Sequence, residues 1–335
     1  MKILSTVGLT PDEVARLREI SGAEVMDKRC RSQAEMIEFG SDGYDILFSF
    51  RAPDELIRRA PNLKWVQFLS AGADHVLKGE LAARTNILIT NASGIHSTPI
   101  AEYTIASMLA WSHGFHTTMR AQMRREWQRN WDFMDSVDSL RGKTLGVIGY
   151  GSIGRETARI GKALGMSILA LKRNPNERSD PGWNPPGVGD PEGTLPDRWF
   201  GPDGLKELLR ASDFITVTLP ATPATRRMIG REEIAVMRPG AYLVNIGRGE
   251  VIDQNALIAA LREKRIGGAG LDVFEREPLE SESELWDLEN VILTPHMSGS
   301  FKGYTSACLG LFAANLERFV RGEPLMNLVD RALGY

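Results

Sequence analysis

Short apolar runs alternate with amphipathic stretches from the start of the chain, and the spacing predicts a strand-helix rhythm. Thr10-Pro11-Asp12-Glu13 forms a capping box: Thr10 caps, Pro11 fits the first helical position and Glu13 reaches back, opening a helix to about Ile20. Asp45-Ile46-Leu47-Phe48 reads as a buried strand, Pro53 to Ala60 as a short helix, and Lys64 to Leu69 as a strand ending at Ser70-Ala71-Gly72. This alternation predicts a small parallel α/β unit. Beyond Asn91-Ala92-Ser93-Gly94, the stretch from Thr98 to about His116 is apolar on most sides, as a helix buried between two packed bodies would be, and it marks a domain junction. Arg120 to Ser139 is polar with Trp127 and Trp131, and reads either as a partner-contacting arm or as a solvated loop pinned by two aromatics.

A second series begins at Lys143, with strands expected near Thr144–Ile148, Ser167–Leu171, Phe214–Leu219, Ala241–Asn245, Gly268–Leu271 and Val291–Leu293. Asn174 to Gly204 is rich in Pro and Gly and lacks periodicity, so it is either a functional loop at the sheet's rim or a mobile insertion. At 335 residues the chain exceeds one comfortable core, and two α/β domains are expected.

Composition narrows the classes. Hydrophobic content of 42% and charged content of 25% are ordinary, and a net charge of -3 gives no basic surface for nucleic acid. The two cysteines, Cys30 and Cys308, form no CxxC pair, so neither a disulfide framework nor a structural zinc site is supported. The sequence shows no apolar run fit for a secretory leader or a membrane span, and a cytoplasmic location is expected. His96, His113 and His116 form no HxxxH or HExxH pattern, so no metal site is expected; the Asp74-His75 pair reads as a loop-fixing pair more readily than as a second catalytic group.

The strand Thr144–Ile148 runs straight into Gly149-Tyr150-Gly151-Ser152-Ile153-Gly154, and Arg155 to Leu164 reads as a helix. That context gives the GxGxxG pattern its meaning. Gly149 permits a tight turn, Gly151 lets a pyrophosphate approach the backbone, Gly154 lets helix and strand pack closely, and free N–H groups near Ser152 and Ile153 bind the anion. The acid expected roughly 20 residues on is missing. In its place stand Lys172 and Arg173, which read either as holders of a 2′-phosphate, favouring NADP(H) with NAD(H) as the other option, or as solvated charges. Further on, Arg248, the acids of Asp272 to Glu277, and His296 each follow a predicted strand of the same series. Reducing a 2-oxo acid needs a cation for the carboxylate, a proton donor for the developing alkoxide and a hydride source; Arg248, Glu277 and His296 with a dinucleotide supply that set.

These residues resemble the D-isomer-specific 2-hydroxyacid dehydrogenases over nearly the whole chain. The carriers are Ser70-Ala71-Gly72-Ala73-Asp74, Pro99-Ile100-Ala101-Glu102, Leu140 to Gly149, Asn245-Ile246-Gly247-Arg248-Gly249, Leu271 to Leu279, and Thr294-Pro295-His296. The resemblance implies that Arg248 binds the substrate carboxylate and carbonyl, that Glu277, not Glu275, pairs with His296, and that His296 passes the proton. It implies that Ala71 and Gly72 meet the substrate carboxylate, that Asp272 holds the nicotinamide end, and that Ser298-Gly299 form a turn near the carboxamide. Leu219, Pro220, Thr225, Asn245, Ile246 and Gly247 are further cofactor contacts on the same grounds. The implied architecture is two Rossmann-like or flavodoxin-like α/β domains with parallel sheets and an active-site cleft between them. Residues 1–98 with 299–335 would be the substrate domain, and residues 99–298 the dinucleotide-binding domain inserted in it. The implied assembly is a homodimer, which would give the 120–139 arm a purpose. Within the resemblance, a glyoxylate or hydroxypyruvate reductase is expected. A formate- or phosphite-type dehydrogenase and a non-catalytic, dinucleotide-sensing corepressor are the alternatives; the complete Arg248, Glu277, His296 set counts against both.

Overall fold

The computed structural model describes residues 1–40, 43–72, 79–127, 130–180 and 182–331. The chain divides into two compact units, one of Met1–Ile95, Pro181–Pro185 and Phe301–Tyr335, the other of His96–Asp180 and Pro186–Ser300.

The first unit is built on five parallel strands, β1 (Lys2–Ser5), β2 (Glu24–Asp27), β3 (Ile46–Ser49), β4 (Trp65–Phe68) and β5 (Leu88–Thr90), in the order β2-β1-β3-β4-β5. Strands β3 and β4 are buried along their whole length, as a sheet covered on both faces requires. The helix Pro11–Ser21 starts with the capping box read from Thr10 and Glu13 and stops at Gly22 in the left-handed conformation, φ 62°. The helix Tyr304–Arg321 lays Cys308, Leu309, Phe312 and Leu316 into the same core as Ile3, Ile46 and Trp65, and Phe312 stacks on Phe48 at 4.5 Å. Trp183 packs against this core too, its backbone N–H donating to Asn327 Oδ1 at 3.1 Å.

The second unit carries seven parallel strands: β6 (Thr144–Ile148), β7 (Ser167–Leu171), β8 (Arg198–Phe200), β9 (Phe214–Val217), β10 (Tyr242–Asn245), β11 (Gly268–Leu271) and β12 (Val291–Leu293). Their order, β12-β11-β10-β9-β6-β7-β8, runs outward in two directions from the β6/β9 pair. That pair is the topological switch point, and ligands of doubly wound sheets sit at its carboxyl edge. Both units are therefore parallel α/β. Among the described residues no helix is long and apolar enough to cross a membrane.

The apolar stretch expected to run to about His116 ends sooner. The helix Ser97–Ser112 stops because Gly114 turns left-handed at φ 65°, and a separate helix covers Phe115–Arg124. A further short helix, Trp131–Ser136, is capped by the Asn130 side chain. The Pro/Gly-rich stretch holds strand β8, which is too short to register as a period. The loop before β8 is held by polar contacts to the first turns after the glycine motif. Arg155, 1% exposed, donates to the carbonyl of Arg178 at 2.6 Å and to that of Asp190, and lies 3.3 Å from the Asp180 carboxylate. Tyr150 donates to Asp190 Oδ2 at 2.9 Å, and the Gly189 N–H donates to Glu156 Oε2 at 2.7 Å. A buried guanidinium survives only when paired, so the loop and Arg155 require one another.

Candidate active site

The glycine motif occupies the switch point as its spacing predicts. A Cβ on Gly149 (φ 101°) would lie 2.7 Å from Thr218 Oγ1, and one on Gly154 would lie 2.3 Å from the Gly149 carbonyl and 2.9 Å from Val147 Cγ1. Those two glycines are demanded by the protein's own packing. Around Gly151 there is nothing within 4 Å of the corresponding position, so its missing side chain leaves space for something other than this chain. Gly151 caps the helix Ser152–Ala163, whose first N–H groups have no carbonyl one turn earlier to bond. Open backbone, unpaired donors and the positive end of a helix dipole fit a pyrophosphate.

The neighbouring turns close in on this one. Leu219, just beyond β9, touches both glycine turns: its side chain lies 3.0 Å from a Cβ on Gly149, and its carbonyl 2.5 Å from one on Gly247. Thr225 fixes the loop from inside by donating to the Pro220 carbonyl at 2.6 Å and accepting from Thr222 N at 2.8 Å. Asn245 is 1% exposed and holds the turn after β10, accepting from Gly247 N at 3.2 Å and donating to the Arg248 carbonyl at 3.1 Å. Ile246 is buried beside it. The side chain of Tyr150 is buried and spent on Asp190, which leaves only its backbone for a ligand. At the end of β7, Lys172 Nζ donates to the Glu177 carbonyl, and burial together with Arg155 lowers its pKa from the ordinary lysine value; Arg173 is exposed.

Arg248, Glu277 and His296 follow β10, β11 and β12, three adjacent strands in which Asn245 pairs with Leu271 and Leu271 with Leu293. The side chains thus gather at one sheet edge because the strands are parallel and in register. The Arg248 turn abuts the acidic loop so closely that a Cβ on Gly249 would fall 1.8 Å from the Phe274 carbonyl carbon. Glu277 Oε1 accepts from Phe274 N at 3.1 Å, and its Oε2 lies 2.7 Å from His296 Nδ1. The imidazole is about half exposed, at 51%. Glu275 is engaged elsewhere, accepting from Gln254 N at 3.4 Å and lying 3.5 Å from Arg227. Asp272, with no exposure, accepts from Thr294 Oγ1 at 2.6 Å and from the N–H groups of Met297 and Ser298 at 2.9 Å each, so it ties the turn that carries His296 and leads into Gly299.

Ala71 and Gly72 follow β4 in the first unit, where Ser70 Oγ donates to the Gly72 carbonyl at 3.1 Å. Asp74 and His75 lie outside the described residues. Tyr103 was not legible as a site residue. Its hydroxyl is 2.6 Å from Thr294 Oγ1, yet in the sequence it is one aromatic on an apolar helix. Among the described residues no group of three or more His, Cys, Asp or Glu side chains is placed to hold a metal ion.

Residues 105–298 match the family model described as D-isomer specific 2-hydroxyacid dehydrogenase, NAD binding domain. The chain is 33% identical to a glyoxylate reductase of Aeropyrum pernix, over 98% of this chain and 96% of that one. It is 34% identical to a D-3-phosphoglycerate dehydrogenase of Methanocaldococcus jannaschii, over 98% of this chain and 59% of that one. Among solved structures, it resembles an NADPH-dependent glyoxylate/hydroxypyruvate reductase from Sinorhizobium meliloti in complex with NADP and sulfate. That similarity has a TM-score of 0.76 and 27% identity, and covers 100% of this chain and 99% of that one.

Proposed function

Because the chain belongs to the D-isomer-specific 2-hydroxyacid dehydrogenases, enzymes of the oxidoreductase class, we propose that it reduces a small 2-oxo acid of the glyoxylate or hydroxypyruvate kind, with NADP(H) favoured over NAD(H). The observation that carries this reading is the 2.7 Å Glu277–His296 pair standing beside the Arg248 turn on neighbouring strand ends.

Each residue then has a task set by its chemistry. Arg248 holds the substrate carboxylate and carbonyl oxygen, because a planar guanidinium can meet two oxygens at once. Glu277 engages Nδ1 of His296, which fixes the ring and leaves Nε2 as the nitrogen that passes a proton to the developing alkoxide. The dinucleotide supplies the hydride when bound. Ser152 and Ile153 would offer N–H groups to its pyrophosphate, beside the space left by Gly151, and the turns of Leu219–Pro220, Thr225 and Asn245–Gly247 would hold the rest of it. Ser298 and Gly299 would meet its carboxamide end, and the fully buried Asp272 would hold that end through the turn its carboxylate ties down. Lys172 and Arg173 stand where a carboxylate would repel a 2′-phosphate, which supports the NADP(H) preference.

The test is a panel of 2-oxo acids assayed with NADPH and with NADH, following absorbance of the reduced cofactor. Turnover of glyoxylate or hydroxypyruvate, faster with NADPH, is the expected result; no turnover of any 2-oxo acid with either cofactor overturns it. Met119, Met123, Trp127 and Trp131 are exposed on the second unit, and we assign them to a homodimer contact. Sedimentation of a Trp127→Ser, Trp131→Ser variant as a monomer, against a dimeric parent, checks that assignment.

A further inference from the structure

The turn that carries His296 has an unusual backbone. His296 sits at φ 50°, in the left-handed region that a side chain other than glycine seldom adopts, so its surroundings must hold it there. Four hydrogen bonds run from this segment to Asp272. His296 N donates to the Asp272 carbonyl at 2.9 Å, Met297 N and Ser298 N donate to its carboxylate at 2.9 Å each, and Thr294 Oγ1 donates to Oδ1 at 2.6 Å. The chain continues one residue further, to the Tyr103 hydroxyl 2.6 Å from Thr294 Oγ1.

The direction of that last bond follows from counting protons. Thr294 has one hydroxyl proton and gives it to the carboxylate, so its oxygen can only accept from Tyr103. Burial pushes the Tyr103 phenol up to about 12, so the donor keeps its proton across the working range of an enzyme. Its base is fixed as well. Four residues on, along the same face of the helix Ser97–Ser112, Ser107 Oγ lies 2.9 Å from the Tyr242 hydroxyl. A Cβ on Gly270 of β11 would stand 2.3 Å from Ser107 Oγ, so the helix rests directly on the strand that leads into Asp272.

We propose that Tyr103 is a positioning residue of the active site, acting through Thr294 and Asp272 to hold the His296 turn where the imidazole meets Glu277. This rests on the assignment of His296 as proton donor. The phenol polarises the threonine hydroxyl, which strengthens its bond to the carboxylate, and the carboxylate grips the two N–H groups just beyond the histidine. Loss of the phenol loosens the turn without removing any group that touches substrate or cofactor.

The experiment compares the parent with Tyr103→Phe, Thr294→Val and Thr294→Ser. For each, kcat, KM for the 2-oxo acid, NADPH affinity by fluorescence, the pH–rate profile and the titration of the His296 ring by NMR are measured. Tyr103→Phe should lower kcat about two- to tenfold, the scale of one hydrogen bond. NADPH affinity should stay within about twofold, while the His296 NMR titration and the matching limb of the pH–rate profile change together. Thr294→Val should do more, and Thr294→Ser, which keeps the hydroxyl, should restore parent behaviour. A Tyr103→Phe enzyme with parent kcat and parent His296 titration overturns the proposal. So does a variant that is merely less heat-stable with the titration unchanged. The NMR titration needs no turnover, so a parent inactive on every 2-oxo acid would refute the activity while leaving the Tyr103 linkage to be decided on its own.

Discussion

Two glycines three positions apart, Gly151 and Gly154, should respond in opposite ways to the same added methyl group. At Gly154 the Cβ would be 2.3 Å from the Gly149 carbonyl oxygen and 2.9 Å from Val147 Cγ1, against an ordinary contact of 3.4–4 Å, so helix and strand must part by about 1 Å. Overpacking costs about 1–3 kcal/mol, at the upper end here because the opposing atom is backbone. Replacing a helical glycine by alanine returns about 1 kcal/mol, so a net loss of about 2 kcal/mol is expected. For a unit of this size that is a fall in Tm of about 4–8 °C. At Gly151 nothing of the protein lies within 4 Å, and the backbone at φ -89°, ψ -164° suits alanine. A weaker helix cap is offset by the stiffer unfolded chain, so stability should change by less than about 0.5 kcal/mol. The methyl instead occupies the space assigned to the pyrophosphate, at a cost of about 1–3 kcal/mol in binding, which is about five- to 150-fold in Kd. Thermal unfolding and NADPH fluorescence titration of both variants are the assays. A Gly151→Ala protein that binds NADPH like the parent would show that the dinucleotide does not lie against this turn. A Gly154→Ala protein with unchanged Tm would refute the packing argument.

His296→Asn should leave NADPH affinity near that of the parent and lower kcat by about a hundredfold or more, the usual scale for a general acid; steady-state assay with cofactor titration reads both, and retained turnover refutes the role. Arg248→Lys should lower kcat and raise KM together, because a point charge cannot make the two-pronged contact, and kinetics like the parent's would make Arg248 a structural cation. A Lys172→Asp, Arg173→Ala variant should lose a preference for NADPH of about tenfold, and the parent's preference should shrink at high ionic strength. The comparison is kcat/KM with each cofactor at two salt concentrations, and equal use of both by the parent leaves these side chains as solvated charges.

Local rules sufficed for the glycine motif, the capping box at Thr10 and most of the strands, since each depends on residues within a few positions of one another; β2 and β5 of the first unit, four and three residues long, were not read as strands. The short strand β8 escaped because three residues after a Pro/Gly-rich stretch carry no period, and it is held by pairing with β7. The helix after Ser97 was read too long because apolar residues continue past Gly114, while the left-handed turn there depends on a backbone angle that hydrophobicity does not encode. Arg155, an ordinary cation on a helix to any sequence rule, is buried because a distant loop folds its carbonyls over it.

The site divides the same way. The sequence by itself determined which residues have the chemistry, Arg248, Glu277 and His296, and that each follows a strand, because charge, proton affinity and hydrophobic period belong to the residues themselves. Tertiary structure alone decided that β10, β11 and β12 lie side by side in register and that Tyr103 closes a hydrogen-bonded chain to the histidine's turn. Those are contacts between residues as far as 191 positions apart, set by strand order and helix packing, and no local pattern carries them.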